Sequence, residues 1–311
     1  MRIRLIPLLA VILLLHGCAA RFSPKETAHD LPSASAQPPV IRVYITGADA
    51  LVDMDVETYV AGVVAGEMRN DWPIEALKAQ AILARTFVMK FLTEKTSRYP
   101  GADISTDVRE AQAYDAEAVN ARILTAVQET AGEILLTPDG QLPYTWFHAH
   151  SGGATALARE SLDWRDDEPG YTAVMPGLDS DSAPDSAKAW SAEFTAEEFA
   201  AACHAAGTQV SGCTSIAIGQ TGPSGRAVTL LVNGTEVNAA RLRISLGSTI
   251  MRSTLLTELA ADDGMIRMAG RGYGHGVGMP QWGAYALAES GMAAEDIALH
   301  YYRDLSLAKI W

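Results

Sequence analysis

The acidic residue best placed to do chemistry is Glu67, which ends a segment with apolar residues at helical spacing. Val60 and Val63 precede it by seven and four residues, so Glu67 continues the apolar face of the predicted helix near its C-terminus. Burial and the negative end of the helix dipole both raise the pKa of a carboxyl group. The position therefore suits a general acid that stays protonated near neutral pH.

Two basic residues on the next predicted helix offer another role for Glu67. Lys78 and Arg85 are seven residues apart and share one helix face, from which either could form a structural ion pair with Glu67. The same side chains are candidates to bind the hydroxyl and acetamide groups of a substrate, or simply to solvate their face of the helix. Spacing alone leaves these alternatives open.

A second constellation is the segment 270–283, GRGYGHGVGMPQWG, in which glycine first occupies every second position. Such a run lets the backbone approach a ligand closely and predicts a binding or catalytic loop. Tyr273 and Trp282 could stack on sugar rings, while His275 and Gln281 could hydrogen-bond the ring substituents; packing alone is the alternative for Trp282. The segment has neither G-x-G-x-x-G nor a phosphate-loop Lys-Ser/Thr, so it does not indicate nucleotide binding.

Two histidines and a serine form a third group. His148 and His150 lie on a predicted strand and would point to the same side, as two of the ligands of a zinc site would. No Cys or carboxylate partner is evident nearby, and hydrogen-bonded neutral histidines are the alternative. Ser151 lacks the nucleophile-elbow sequence G-x-S-x-G, which argues against a serine hydrolase.

The composition is that of an ordinary globular protein, with 48% hydrophobic and 20% charged residues among 311. The formal net charge is −13, which would repel a nucleic acid or an anionic membrane surface. A neutral or zwitterionic polymer is the better-matched partner.

The N-terminus indicates export. Arg2 and Arg4 precede an apolar stretch too short to span a membrane, so residues 1–17 are predicted to be a signal peptide. The sequence LHGCA around Cys18 resembles a bacterial lipobox, with His16 departing from the usual small residue, and predicts lipid attachment at Cys18. An ordinary cleaved signal is the alternative. The resemblance favours an outer-membrane lipoprotein that faces the periplasm.

Residues 18–40, rich in Pro and Ser, are predicted to be a flexible tether. Beyond it the chain carries Cys203 and Cys213, which in an oxidising compartment could form a local disulfide or remain a pair of buried thiols. Neither belongs to a spacing typical of a structural zinc site.

The elements that must position these residues mix helices and strands without a repeated strand–helix alternation, which predicts an α+β fold. A strand over Val40–Thr46 leads to a helix capped by Asp55, and a second helix follows with Asp71 at its cap and Pro73 in its first turn. This helical pair would carry Glu67, Lys78 and Arg85. We expect one composite domain over residues 41–311, with a subdomain near residues 170–250.

The rest of the chain supplies weaker signals. Residues 117–131 predict a third helix, and strand-like segments follow at 134–137 and 144–150. Asn233-Gly234, between two apolar runs, is the strongest short hairpin signal.

Several of these segments, in this order, resemble the SpoIID/LytB family of sporulation protein IID and the amidase enhancers. The resemblance extends from about residue 41 to the C-terminus, and its segments are VETYVAGVVAGEM at 56–68, EALKAQA at 75–81, ARTF at 84–87, FHA at 147–149, SGG at 151–153, RLRISLG at 241–247, RS at 252–253, GRGYGHGVGM at 270–279 and QWG at 281–283.

The resemblance implies a lytic transglycosylase that cleaves between N-acetylmuramic acid and N-acetylglucosamine, preferring peptidoglycan strands stripped of peptide. The family's catalytic glutamate corresponds to Glu67. A single carboxylic acid is enough for this reaction, unlike the paired acids of ordinary glycosidases. Family positions that would bind the glycan are Lys78, Gln80, Arg85, Ser151, Tyr273, His275, Gln281 and Trp282.

Some family members hold zinc with a Cys that precedes a Gln-x-Tyr motif. This chain reads EAQAY at 110–114, without Cys, so no cofactor is expected.

Two other functions compete with the transglycosylase. A non-catalytic wall-binding protein that stimulates a cell-wall amidase would keep the same aromatic and glycine residues. A muramidase that uses water would need a second carboxylate, for which Asp53, Asp55 and Asp107 are candidates.

Overall fold

The structure, a computed structural model, describes residues 37–311. The signal peptide predicted at residues 1–17, the lipid attachment at Cys18 and the tether up to residue 36 lie outside the described residues. The helices are α1 (Val56–Glu67), α2 (Ile74–Glu94), α3 (Ala121–Glu129), α4 (Ala158–Ser161), α5 (Asp185–Lys188), α6 (Ala196–Ala205), α7 (Ala239–Ser245), α8 (Gln281–Glu289) and α9 (Ala294–His300).

The strands form five small sheets, ordered β2-β1-β3, β4-β13, β5-β12, β10-β11-β6 and β7-β8-β9. Among the strand pairs of residues 37–311, only β1–β3 and β5–β12 are parallel. This mixture confirms the α+β class. The strands are β1 (Val40–Ile45), β2 (Ala50–Asp55), β3 (Ile104–Ser105), β4 (Glu133–Leu136), β5 (Phe147–His148), β6 (Ala189–Thr195), β7 (Ile216–Thr221), β8 (Ala227–Val232), β9 (Thr235–Asn238), β10 (Leu256–Asp262), β11 (Met265–Arg271), β12 (Met279–Pro280) and β13 (Ser306–Lys309).

The predicted helical pair is confirmed as α1 and α2. Asp55 caps α1 as predicted, because its Oδ1 accepts a hydrogen bond of 2.8 Å from the Thr58 amide. The predicted cap at Asp71 is wrong, since α2 begins after Pro73 and Asp71 instead pairs with Arg69, at 2.8 Å between Nη2 and Oδ2. Asp71 lies too early in the chain to reach the first free amides of α2.

A first hydrophobic core surrounds the helical pair. Helices α1, α2, α3, α8 and α9 bury one another against β1, with Tyr59, Leu77, Leu83 and Tyr301 almost without exposed surface. This packing fixes the C-terminal end of α1, where Glu67 lies. None of the helices in residues 37–311 is both long enough and apolar enough to cross a membrane.

A second hydrophobic core lies between Trp190 and Met268, where β6, β8, β9 and β11 pack on α6 and α7. It overlaps the subdomain expected near residues 170–250, whose limits stay a prediction. Cys203 and Cys213 are both buried in this core and are free thiols in the structure. The disulfide between them stays a prediction.

The predictions of a hairpin, a third helix and a strand over 144–150 have different outcomes. Asn233-Gly234 is confirmed as a two-residue hairpin turn, since Val232 pairs with Thr235 and both turn residues have positive φ. The third helix is shorter than predicted, because Asn120 caps it through the Ile123 amide. The strand expected over 144–150 is reduced to β5, which pairs with the two residues of β12.

Candidate active site

Glu67 is the last residue of α1, and its carboxyl group is largely enclosed. Its Oε1 accepts a hydrogen bond of 2.8 Å from the Ala113 amide. Burial raises the pKa of Glu67, while the Ala113 amide and the Gln281 side chain lower it by less. The net result is a carboxyl group that keeps its proton to higher pH than an exposed glutamate.

Two glycines on α1 make that hydrogen bond sterically possible. A Cβ added to Gly66 would lie 2.6 Å from the Tyr114 backbone nitrogen, and one added to Gly62 would overlap the Tyr114 ring. The segment around Ala113 therefore lies directly on the helix surface. The spacing of these two glycines was the available signal for this approach, and the sequence interpretation did not use it.

The cations suggested as partners of Glu67 are engaged elsewhere. Arg85 is fully buried and pairs with Glu57, at 2.6 Å between Nη2 and Oε2. Lys78 pairs with Glu75 and Glu129. The structural ion pair proposed for Glu67 is thus not formed, and neither cation is brought to its carboxyl group.

Gln80, predicted to contact glycan, lies inside α2 with no exposed surface. Neither atom of its side-chain amide has a hydrogen-bond partner within residues 37–311. Gln112, directly before the Ala113 amide, is also buried and has the same property. Gln80 as a glycan contact stays a prediction.

Gln281 and Trp282 are brought to the acid by the start of α8. The Gln281 side chain is near enough to lower the pKa of Glu67, although its Nε2 makes no hydrogen bond within the described part of the chain. Trp282 packs on Trp72 with ring centroids 4.5 Å apart, and Tyr285 packs on both rings at 5.2 Å. Trp72 follows Glu67 by five residues, and neither it nor Tyr285 was predicted.

The glycine loop, residues 270–278, threads tightly past the segment 146–152. Gly274 has φ +115°, and a Cβ there would lie 2.5 Å from the Cβ of His148. Gly278 has φ +71° and lies against the Trp146 carbonyl. The glycines therefore allow backbone to pack on backbone. Tyr273 lies at the loop surface, with the Arg252 guanidinium 5.2 Å from its ring centroid.

The histidines are held as neutral parts of this packing. Burial lowers the pKa of His148 well below its usual value and lowers that of His275 to about 3. His275 Nδ1 accepts from the Val277 amide at 3.0 Å, and His148 Nδ1 lies 3.2 Å from the Val277 carbonyl. Because that carbonyl can only accept, His148 carries its proton on Nδ1, and its buried Nε2 is without a partner in the described residues.

His150 and Ser151 belong to a buried polar turn around Asp179, which the sequence interpretation missed. Ser151 Oγ donates to the Asp179 carboxylate and accepts from the Gly153 amide at 2.9 Å. His150 Nδ1 accepts from the Gly152 amide at 3.0 Å. Ser151 has no exposed surface, so it contacts this turn rather than the solvent. Across residues 37–311, no three His, Cys, Asp or Glu side chains are grouped as metal ligands.

Arg226 joins this turn to the second core. It is fully buried just before β8, and it donates to the Ser151 carbonyl at 2.5 Å and to the Ala154 carbonyl at 2.9 Å. Gly276 packs against its guanidinium, where a Cβ would lie 2.6 Å from Nε. Burial lowers the pKa of Arg226 to about 10, so it stays charged.

The fold and this site define an α+β protein with a half-buried carboxylic acid at a helix end, beside an aromatic cluster and a glycine loop. The family profile described as stage II sporulation protein, SpoIID, matches residues 44–136.

The chain is 30% identical to stage II sporulation protein D of Bacillus amyloliquefaciens over 303 residues, covering 92% of this chain and 83% of that protein. It is 30% identical to stage II sporulation protein D of Bacillus subtilis over 335 residues, covering 99% and 92%. It is also 26% identical to an amidase enhancer of Bacillus subtilis, covering 79% of this chain and 40% of the enhancer. The chain belongs to the SpoIID family.

Proposed function

We propose that this chain is a peptidoglycan lytic transglycosylase in which Glu67 is both the acid and the base. The observation that carries the proposal is the state of that carboxyl group. It is half-buried, its pKa is raised, and it is bound by the Ala113 amide rather than by Lys78 or Arg85. A glutamate in this state keeps its proton to higher pH than an exposed glutamate, which is what a general acid needs.

The reaction needs two proton transfers at one residue. Protonated Glu67 gives its proton to the oxygen between N-acetylmuramic acid and N-acetylglucosamine as the bond from C1 breaks. The resulting carboxylate then accepts the proton of the muramoyl C6 hydroxyl while that oxygen bonds to C1. A 1,6-anhydro end forms, no water is consumed, and Glu67 is again protonated.

The positions of the other carboxylates argue against a water-using muramidase. Asp55 lies at the opposite end of α1, about 18 Å from Glu67 at 1.5 Å per residue, whereas paired glycosidase carboxyls are about 5–9.5 Å apart. Asp53 pairs with Arg42. Asp107 pairs with Arg109, whose hydrogen bonds hold the pKa of that carboxyl well below its usual range. Each of the three candidates is thus distant or engaged.

The aromatic side chains beside the acid support a sugar polymer as substrate. Trp282 and Tyr285 are partly exposed and present ring faces of the kind that pack on sugar rings. From the family resemblance we propose peptide-stripped glycan strands as the preferred substrate. The side chains proposed to bind them are Tyr273, Gln281 and Trp282, with Trp72 supporting Trp282.

An amidase enhancer without catalysis is the second candidate, because one relative carries that name. Such a protein would bind glycan through the same aromatic cluster and would have no need of a proton on Glu67. The raised pKa of Glu67 is useful to a proton donor and not to a binding protein, and it therefore favours the enzyme.

Mass spectrometry of peptide-free glycan strands tests the enzyme directly. Wild type should produce 1,6-anhydromuramoyl ends, Glu67→Gln should produce none, and Glu193→Gln, at an exposed surface pair with Arg267, should behave as wild type. Reducing ends would indicate hydrolysis. Intact strands that still bind the wild-type protein would establish the enhancer instead.

We also propose that the protein is exported and anchored through a lipid on Cys18, placing it in the cell envelope with access to the wall. A cell-wall amidase that strips peptides is the expected protein partner, and no nucleic acid is expected. Labelling cells with a fatty-acid analogue tests the anchor: the wild-type protein should incorporate label and Cys18→Ala should not. Equal labelling of both proteins would refute the anchor.

A further inference from the structure

A cavity of about 550 Å³ opens between α4, α6, α7 and the glycine loop, and the reaction above makes no use of it. Of the residues proposed for the glycan site, only His275 reaches its wall. The remaining wall comes from the ends of α4 and α6 and from one face of α7. The volume suits a small ligand.

Arg243 on α7 gives this cavity an uncompensated charge. The residue is only 8% exposed, and its hydrogen bonds go to main-chain carbonyls, from Nε to Arg252 at 3.0 Å and from Nη2 to Ser248 at 3.4 Å. No Asp or Glu of residues 37–311 forms an ion pair with it. Burial lowers its pKa to about 10, so the guanidinium is still charged at neutral pH. Buried cations normally have an anionic partner.

The other arginine of the cavity is already neutralised. Arg241 Nε lies 2.6 Å from Asp163 Oδ2, and both residues line the cavity. Arg243 therefore leaves the cavity with one net positive charge. A ligand with a single negative charge would balance it.

Ser161, at the end of α4, supplies an independent observation. It also lines the cavity and is only 5% exposed, yet its Oγ has no hydrogen-bond partner within residues 37–311. A buried hydroxyl without a partner is costly, and an anionic oxygen in the cavity would accept a hydrogen bond from it. Within residues 37–311 the hydroxyl thus has no acceptor, and no carboxylate neutralises the guanidinium.

The rest of the wall is apolar and includes Leu162, Ala205, Ala206 and Ile244. We propose that this cavity binds a monocarboxylate carried on a small apolar body, with the carboxylate on Arg243 and Ser161. The choice of peptidoglycan as the source of this carboxylate rests on the proposed function. Peptidoglycan carries such a carboxylate at the D-alanine end of a peptide stem and at the lactyl group of peptide-free muramic acid. A ligand bound in this cavity would contact His275 in the glycine loop.

Calorimetric titration of the full chain with N-acetyl-D-alanine and with N-acetylmuramic acid tests the proposal and separates the two sources. N-acetyl-D-alaninamide and N-acetylglucosamine are the matched probes without a carboxylate. We expect one or both acids to saturate a single site and both neutral probes to fail. Neutral probes that bind as well as the acids, or acids that show no saturation by about 10 mM, would overturn the site.

Three variants assign the binding to this cavity. Arg243→Gln should weaken binding about tenfold or more, and Ser161→Ala, which keeps the guanidinium and its main-chain bonds, should weaken it severalfold. Arg267→Gln, on the exposed face of β11, should bind as wild type. If Arg243→Gln does not fold, Ser161→Ala decides, and unchanged affinity in that folded variant refutes the proposal. Titration of the Glu67→Gln variant separates this result from catalysis, because that variant should lose the proposed reaction and keep the cavity.

Discussion

Replacing Gly66 by alanine tests whether the backbone over α1 controls the acid. The added Cβ would lie 2.6 Å from the Tyr114 nitrogen and 2.7 Å from the Ala113 carbonyl carbon. Both neighbours are backbone atoms, which cannot rotate away as a side chain can. To restore an ordinary contact of about 3.4 Å, the segment must retreat by about 0.8 Å. That motion would stretch the 2.8 Å hydrogen bond from Ala113 to Glu67 beyond hydrogen-bond range.

The size of the effect follows from three contributions. Overpacking costs about 1–3 kcal/mol, and a buried amide left without its acceptor costs about 1–3 kcal/mol. Alanine returns about 1 kcal/mol through its higher helix propensity. The expected net loss is about 1–5 kcal/mol in the free energy of unfolding, or a fall of about 2–9 °C in Tm at about 2.1 cal/mol/K per residue.

The same change has a signature in the pH profile. The Ala113 amide lowers the pKa of Glu67, so its retreat raises that pKa further. Since the proposed reaction needs protonated Glu67, the alkaline limb of glycan cleavage should move to higher pH in Gly66→Ala. Thermal melts and pH–rate profiles measure both effects, with Gly170→Ala as control, because a Cβ there meets nothing within 4 Å. A Gly66→Ala protein with wild-type Tm and an unmoved alkaline limb would refute this reasoning.

Three further perturbations follow from the structure. Arg85→Met leaves the Glu57 carboxylate buried without its partner and should cost about 3–5 kcal/mol in urea unfolding, whereas a loss under 1 kcal/mol would show that the pair contributes little. Glu67→Gln should be more stable than wild type at pH 7, because burial raises the pKa of Glu67 in the folded state. The stability that comes with its proton is lost as pH rises through that pKa, so the difference should vanish by about pH 4. Equal stability at every pH would contradict the raised pKa. Gly234→Ala should cost about 1–2 kcal/mol in thermal unfolding, because φ is +81° there, and an unchanged Tm would contradict that turn geometry.

The helical pair could be predicted because its signals are local. The apolar spacing, the Asp55 cap and Pro73 before α2 depend only on neighbours in the chain, as does the hairpin at Asn233-Gly234. The strand over 144–150 could not be predicted correctly, because its length is set by β12, more than a hundred residues later. The pairing partner, and not the local sequence, decided where that strand ends.

The candidate site divides in the same way. Glu67 could be recognised from its place on an apolar helix face, and Gln281 and Trp282 from their glycine-rich context. The environment of the acid could not be predicted, because the Ala113 amide that binds it lies 46 residues away in the chain. Arg85 was a reasonable glycan contact by spacing, yet a carboxylate at the start of α1 takes its guanidinium into the core. Long-range partners such as Asp179 for Ser151 carry no spacing signal at all.

The fit between Arg226 and Gly276 sets a constraint on how this sequence can diverge. The guanidinium fills the space where a side chain at 276 would begin, and it bonds the carbonyls that hold the turn at 151–154. A mutation at either position alone creates an overlap or an unfilled polar gap, so the viable route requires both to change together. Among relatives, a residue other than glycine at the place of 276 should therefore coincide with a shorter side chain at the place of 226, a pairwise covariation between two positions that are distant in the chain.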